Sequence, residues 1–242
     1  MIDSDTETGN LRRLRNACRA VYGTPPFLVQ HGWRQRYVER SDSDEVVFAA
    51  PLPSNEPLTP GSSVQARDDG HGPIVVRTFE VRIGRPTMTP SELMATFRRC
   101  SNDFVPRHIA GFVDGDREVT SMDVGDEFVV EIPGPWNGPV RVDAIDDTSV
   151  LLITLTGHME AGHIRFAVVK PDDEGYRFQI RSWARAGDEL FKQLHLVAGL
   201  AHEAQTAMWV HTCDRAVALS GGARSSPILV RTERLVDSDN SR

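Results

Sequence analysis

Apolar residues repeat with two different periods along this chain, and the changes of period mark its elements. Ile74 to Ile83 alternates apolar with polar and predicts a strand. Thr89-Pro90-Ser91-Glu92 then marks a helix start: a Thr cap, Pro at the first helical position, and Glu placed to bond back to the cap. Leu93, Met94, Phe97 and Cys100 form one face of that helix. The period returns to two at Phe128, Val130 and Ile132, which alternate with Glu127 and Glu131. Further strands are expected at about 140–145, 150–156, 164–170 and 176–184. The short connections between these five segments predict an antiparallel meander. In its last two strands Ile164, Phe166, Val168, Phe178 and Ile180 share a face, and Arg165, Arg177 and Arg181 lie on the opposite, solvated one. From about 188 to 219 the period lengthens. Leu190, Leu194, Val197, Ala201, Ala204 and Met208 recur at steps of three and four, one narrow stripe on a long helix that Gly221-Gly222 ends.

The ends of the chain read differently. Residues 1–9 are polar, Asn10 is placed to cap a short helix that stops at Gly23, and short extended pieces are expected near 33–38 and 45–49. The stretch 51–73, rich in Pro, Gly, Ser and Asp, predicts a loop or linker. The expected division is an accessory segment and linker at 1–72, one domain at 73–221, and a polar tail at 222–242 in which a patch at 228–230 docks as a strand. The fold class is α+β, a curved antiparallel sheet wrapped around a long C-terminal helix. Strand, helix, meander and long helix in this order resemble the START/SRPBCC helix-grip superfamily. That resemblance implies a cavity between helix and sheet, often occupied in such folds by apolar ligands.

A second resemblance is local. Gly157-His158-Met159-Glu160-Ala161-Gly162-His163 is similar to the Gly-His-Pro-Glu-x-Gly-Glu hairpin of a bacterial and plant family filed as a domain of unknown function. It extends over about 75–215. Met159 stands where that family tends to have proline and His163 where it tends to have glutamate, and the family brings no activity with it.

Composition narrows the function classes. The 242 residues carry a net charge of −7, which predicts no nucleic-acid partner. Cys18, Cys100 and Cys213 are odd in number and far apart, as expected for reduced thiols in the cytoplasm. The polar, acidic N-terminus predicts no signal peptide, and the longest apolar run, 150–155, is too short to span a bilayer.

Strand alternation gathers the candidate chemistry. The loop at 133–139 with Trp136, the hairpin at 158–162 and the Ala186-Gly187-Asp188 entry to the long helix should share one end of the sheet. The candidate ligand-binding residues are therefore Trp136, His158 and Glu160 at that rim, with Gln205, Met208 and Trp209 on the helix. His158 and Glu160 are the candidates for any acid–base chemistry. His158, Glu160 and His163 are residue types that bind metals, but six residues of tight hairpin do not aim three side chains at one point, so no metal is expected. His202-Glu203 begins a zinc-protease helix that Thr206 breaks. No nucleophile elbow, phosphate loop or dinucleotide fingerprint is present, and no cofactor is expected. Three functions stay open: a module binding a small apolar or amphipathic ligand, an enzyme of the same fold, and a protein-interaction domain using Trp33, Tyr37 and Phe48. The oligomeric state is left open.

Overall fold

The computed structural model describes residues 37–43, 63–108, 110–131, 137–169, 175–187 and 195–235. Eleven strands are described: β1 (Val38–Ser43), β2 (His71–Gly84), β3 (Gly111–Asp114), β4 (Arg117–Glu118), β5 (Glu127–Glu131), β6 (Asn137–Asp146), β7 (Ser149–Thr154), β8 (Glu160–Val169), β9 (Gly175–Ala186), β10 (Ala223–Arg224) and β11 (Ile228–Leu235). The two α-helices described are α1 (Pro90–Arg99) and α2 (His195–Leu219). The strands form one sheet in the order β1-β11-β2-β9-β8-β7-β6-β5-β3-β4, with β10 beside the end of β2. Every pairing is antiparallel except β1 with β11.

The expected meander is present as β5 to β9. Its inward faces carry Phe128, Val140, Val142, Leu152, Phe166, Phe178 and Ile180, all buried. Register shifts at Val142/Ala144 and His71/Val75 interrupt the ladders, the kind of bulge that bends a sheet over its filling. The arginines of the other face meet acidic partners: Arg165 lies 3.6 Å from Asp146 and Arg177 3.3 Å from Glu80. Arg181 lies 3.9 Å from Glu233.

Helix α1 starts where its sequence says. Thr89 accepts from the Glu92 amide, and the Glu92 carboxylate accepts from the Thr89 amide at 2.8 Å. Leu93, Met94 and Phe97 are buried, but the apolar face stops there, because Cys100 is the exposed C-cap. Phe97 stacks on Phe166 at 4.7 Å and meets Phe104 edge-on at 5.2 Å. Phe112 and Phe178 extend this aromatic block, which closes one end of the grip. Asn102 holds the block in register, donating to the Phe112 carbonyl at 2.9 Å and accepting from its amide at 2.7 Å.

Two expectations need correction. The stripe on α2 is not narrow: Thr206, Ala207, Met208, Trp209 and Val210 are buried in succession. The helix is enclosed on more than its sheet side, for Arg215 also bonds the Asp103 carbonyl at 2.9 Å in the segment after α1. Of the six stripe residues, Ala204 and Met208 are buried, while the side chains of the other four lie outside the described residues. The docked patch near the C-terminus is also longer than 228–230. As β11 it pairs with β2 from Leu229↔Glu80 to Leu235↔Ile74, and it carries β1 on its other edge. The predicted short helix after Asn10 and the piece at 45–49 lie outside the described residues. Among the described residues no helix is long and apolar enough to cross a membrane.

Candidate functional site

The hairpin between β7 and β8 is built by its two glycines and by a clamp from upstream. Gly157 has φ +94°, a conformation that side chains with a Cβ rarely adopt. A Cβ on Gly162 would lie 2.0 Å from the Trp183 carbonyl oxygen, so only glycine lets β8 lie this close to β9. Gln65 grips the turn: its amide donates to the His158 carbonyl at 2.9 Å and the Glu160 carbonyl at 3.2 Å, and its oxygen accepts from the Gly157 amide at 3.2 Å. Val64 bridges Leu155, and the Ser63 and Thr156 hydroxyls are bonded. Part of the stretch expected as linker is thus fastened to the site.

The hairpin fixes two side chains. His158 Nδ1 lies 2.9 Å from the Glu160 amide nitrogen and 2.9 Å from the Glu160 carbonyl oxygen. Gln65 already serves that carbonyl, so the amide is the partner in need of Nδ1, which places the imidazole proton on Nε2. Burial pushes the His158 pKa down to about 4, against a weaker upward pull from the Glu160 backbone, so the ring is neutral at pH 7. Its Nε2 packs against β6, 3.1 Å from where a Cβ on Gly138 would stand. The Glu160 carboxyl points between the layers, where burial raises its pKa against the opposing pull of Arg77 and Gln205. Gln205 reaches it from α2 at 3.4 and 3.5 Å.

Arg77 completes this cluster and was not foreseen. It is buried, donates to Gln205 Oε1 at 2.5 Å and Thr206 Oγ1 at 2.6 Å, and lies 4.9 Å over the Phe79 ring. Desolvation lowers its pKa to about 10, still a full cation at neutral pH. The signal was in the alternation of β2: Val75, Arg77, Phe79, Val81 and Ile83 share one parity, and an arginine among four apolar residues breaks it. Gln65 carried no comparable mark within a polar stretch.

Two cavities meet at Glu160, Ser182 and Ala184. The first, about 50 Å³, is apolar, walled by Val130, Val140, Leu152, Ile164, Phe166 and Met208, with His158 and Gln205 also lining it. The second, about 250 Å³, lies toward β2 and β11, and Val75, Arg77, Thr232, Arg234 and Arg185 border it. His158, Glu160, Gln205, Met208 and Trp209 therefore surround one space, while Trp136 lies outside the described residues. His163 is separated from its hairpin neighbours by strand alternation, and its ring stacks on Trp183 at 4.8 Å. Trp209 fills the core edge-on to Phe166 at 5.5 Å.

No protein-family model and no curated protein matches the chain, so the likeness of the hairpin to the uncharacterised family rests on its own residues. Similar solved structures include the di-domain ARO/CYC StfQ from the steffimycin biosynthetic pathway, at 12% identity and TM-score 0.44. That match covers 64% of this chain and 52% of that one, so it spans about half the length of the two-domain protein. Norcoclaurine synthase from Thalictrum flavum is 10% identical, with TM-score 0.43 and coverage of 73% and 98%. A START superfamily protein from Mycobacterium smegmatis is 13% identical, with TM-score 0.40 and coverage of 62% and 98%. At these TM-scores the matches carry no argument about this chain.

Proposed function

We propose that this protein is a binding module for a small amphipathic molecule held between the sheet and α2. The observation that carries the reading is the open space at Glu160, where an apolar wall meets the Arg77–Gln205–Glu160 cluster. A pocket with an apolar wall and a few converging polar groups is the usual form of a small-molecule site. Size limits the ligand. An apolar cavity of about 150 Å³ holds a benzene ring, so the 50 Å³ space takes only a short apolar group and the 250 Å³ space takes the rest. A steroid or long acyl chain does not fit, because the phenylalanine block occupies the far end of the grip. Native mass spectrometry of the purified chain tests the reading. A bound small molecule, released on denaturation, is expected. An empty protein whose unfolding temperature is indifferent to every acid, amide and alcohol of this size would overturn it.

One observation favours an enzyme of the same fold. The Glu160 carboxyl borders both cavities and its pKa is raised by burial, which suits a group that gives or takes a proton. In that reading Glu160 acts, and His158 positions it through the Glu160 backbone amide. Glu160→Gln would then abolish turnover of a bound ligand while leaving its binding within a few-fold.

A further inference from the structure

The larger cavity has a chemistry of its own. Its floor is made of inward-facing positions on three neighbouring strands, and on β9 these are the small residues Ser182, Ala184 and Ala186. Small side chains at successive ladder steps leave the space open. Its walls are basic. Arg77 stands on β2, and Arg234 lies one inward step further along β11, since Thr232 pairs with Arg77 and Arg234 with Val75. Arg185 borders the same space from β9. Two inward-facing arginines, Arg77 and Arg234, thus border this space together with one carboxyl, Glu160, within a chain whose net charge is −7.

Arg77 spends two nitrogens on the neutral Gln205 and Thr206, and its buried Nε has no hydrogen-bond partner. Arg234 is exposed at the mouth and has no ion-pair partner among the described residues. The Ser182 and Thr232 hydroxyls add neutral donors to the same lining.

We infer that this cavity is a subsite for the carboxylate of a small organic acid, held by Arg77 and Arg234, with the acid's short apolar body turned past Ala184 toward Met208. Planar carboxylates match the forked donors of arginine, which supports a carboxylate over a spherical anion. This inference rests on the binding reading above and names the class of its ligand.

The test is isothermal titration of the full chain at constant ionic strength with acetate, butanoate, hexanoate and benzoate, each beside its neutral amide, and with inorganic phosphate. At least one carboxylate is expected to bind tenfold or more tightly than its amide. Arg234→Gln, a change at the exposed mouth, should remove most of that preference for acid over amide. Arg77→Lys should weaken the acid by a similar factor, and circular dichroism checks that the variant is folded. Equal affinity for acid and amide would overturn the carboxylate subsite and leave the binding reading standing. Phosphate binding tighter than every carboxylate, and lost in Arg234→Gln, would also overturn it. Silence from all acids and amides, with nothing co-purified, would remove the binding reading itself.

Discussion

The two ends of the grip use the same layers and differ in what they put between them. Along the paired strands β8 and β9, successive inward steps are Phe166↔Ile180, Ile164↔Ser182 and Gly162↔Ala184. On β2 the matching steps are Phe79, Arg77 and Val75. Side-chain volume therefore falls along the ladder, polar groups enter at the middle step with Arg77 and Ser182, and the space opens where the side chains shrink. On α2 the change is the same: Cys213 and Ala216 lie fully buried further along the helix, and Gln205 and Met208 border the first cavity. A core becomes a site here through a graded substitution of residues on continuous elements.

The largest test of this contrast is at the closed end. Phe97 is fully buried and touches Phe104, Phe112 and Phe166. Phe97→Ala should cost about 3–5 kcal/mol in urea denaturation and leave ligand affinity in the folded fraction unchanged. A cost under 1 kcal/mol would mean that this end is not the core. Next in size is Gly162→Ala. The added Cβ would collide with the backbone of β9, so strain of about 2–3 kcal/mol is expected, together with weaker binding, because Glu160 begins the same strand.

The pH dependence sharpens the comparison further, since His158 and Glu160 belong to the open end alone. The His158 pKa falls from 6.5 to about 4 on folding. The unfolded chain therefore takes up its proton first as the pH drops. Its contribution is fully present above pH 6.5 and is lost between about 6.5 and 4, roughly 3 kcal/mol in all. Glu160 has the opposite sign: its raised pKa favours the fold at low pH, and that contribution is lost as the pH rises through it. His158→Asn separates the two, because the Asn side-chain oxygen can still accept the Glu160 amide hydrogen but does not titrate. Denaturation curves at pH 7 and pH 5 should show a larger loss for the parent chain than for the variant. Equal losses would show that His158 is not the titrating group.

Much of this was legible in the sequence. Alternation and capping placed α1, β2 and the whole meander, since period-two burial and a Thr–Glu capping box are local signals. Strand direction alone predicted that the hairpin with His158 and Glu160 would stand beside the start of β6, and Gly138 does pack against His158. What was not legible depended on partners distant in sequence. Arg77 looked like one more polar residue of a strand until its parity was compared with Phe79 and Val81. Gln65 sat in a stretch without periodicity, and its bonds to residues 157–160 have no sequence signature. The breadth of burial on α2 was hidden for the same reason, because Ala207 and Thr206 are buried by elements the helix pattern does not mention.

The smallest expected effect on stability is the most informative about the open end. Ala184 faces inward on β9, between the two cavities. In a close-packed interior, Ala184→Leu would force side chains off their rotamers and cost about 1–3 kcal/mol. In a real void the added methyl groups find contact instead, and burial of apolar surface offsets the ordering of the side chain. The expected result is a change in unfolding free energy below about 1 kcal/mol, with loss of binding for every carboxylate and amide that binds the parent chain. Arg234→Gln, by contrast, should discriminate between acid and amide. Blocking at Ala184 with discrimination at Arg234 separates the space itself from the charge that lines it. A clear destabilisation by Ala184→Leu would mean that the open end is packed like the closed one, and that the gradient along β8 and β9 ends in core.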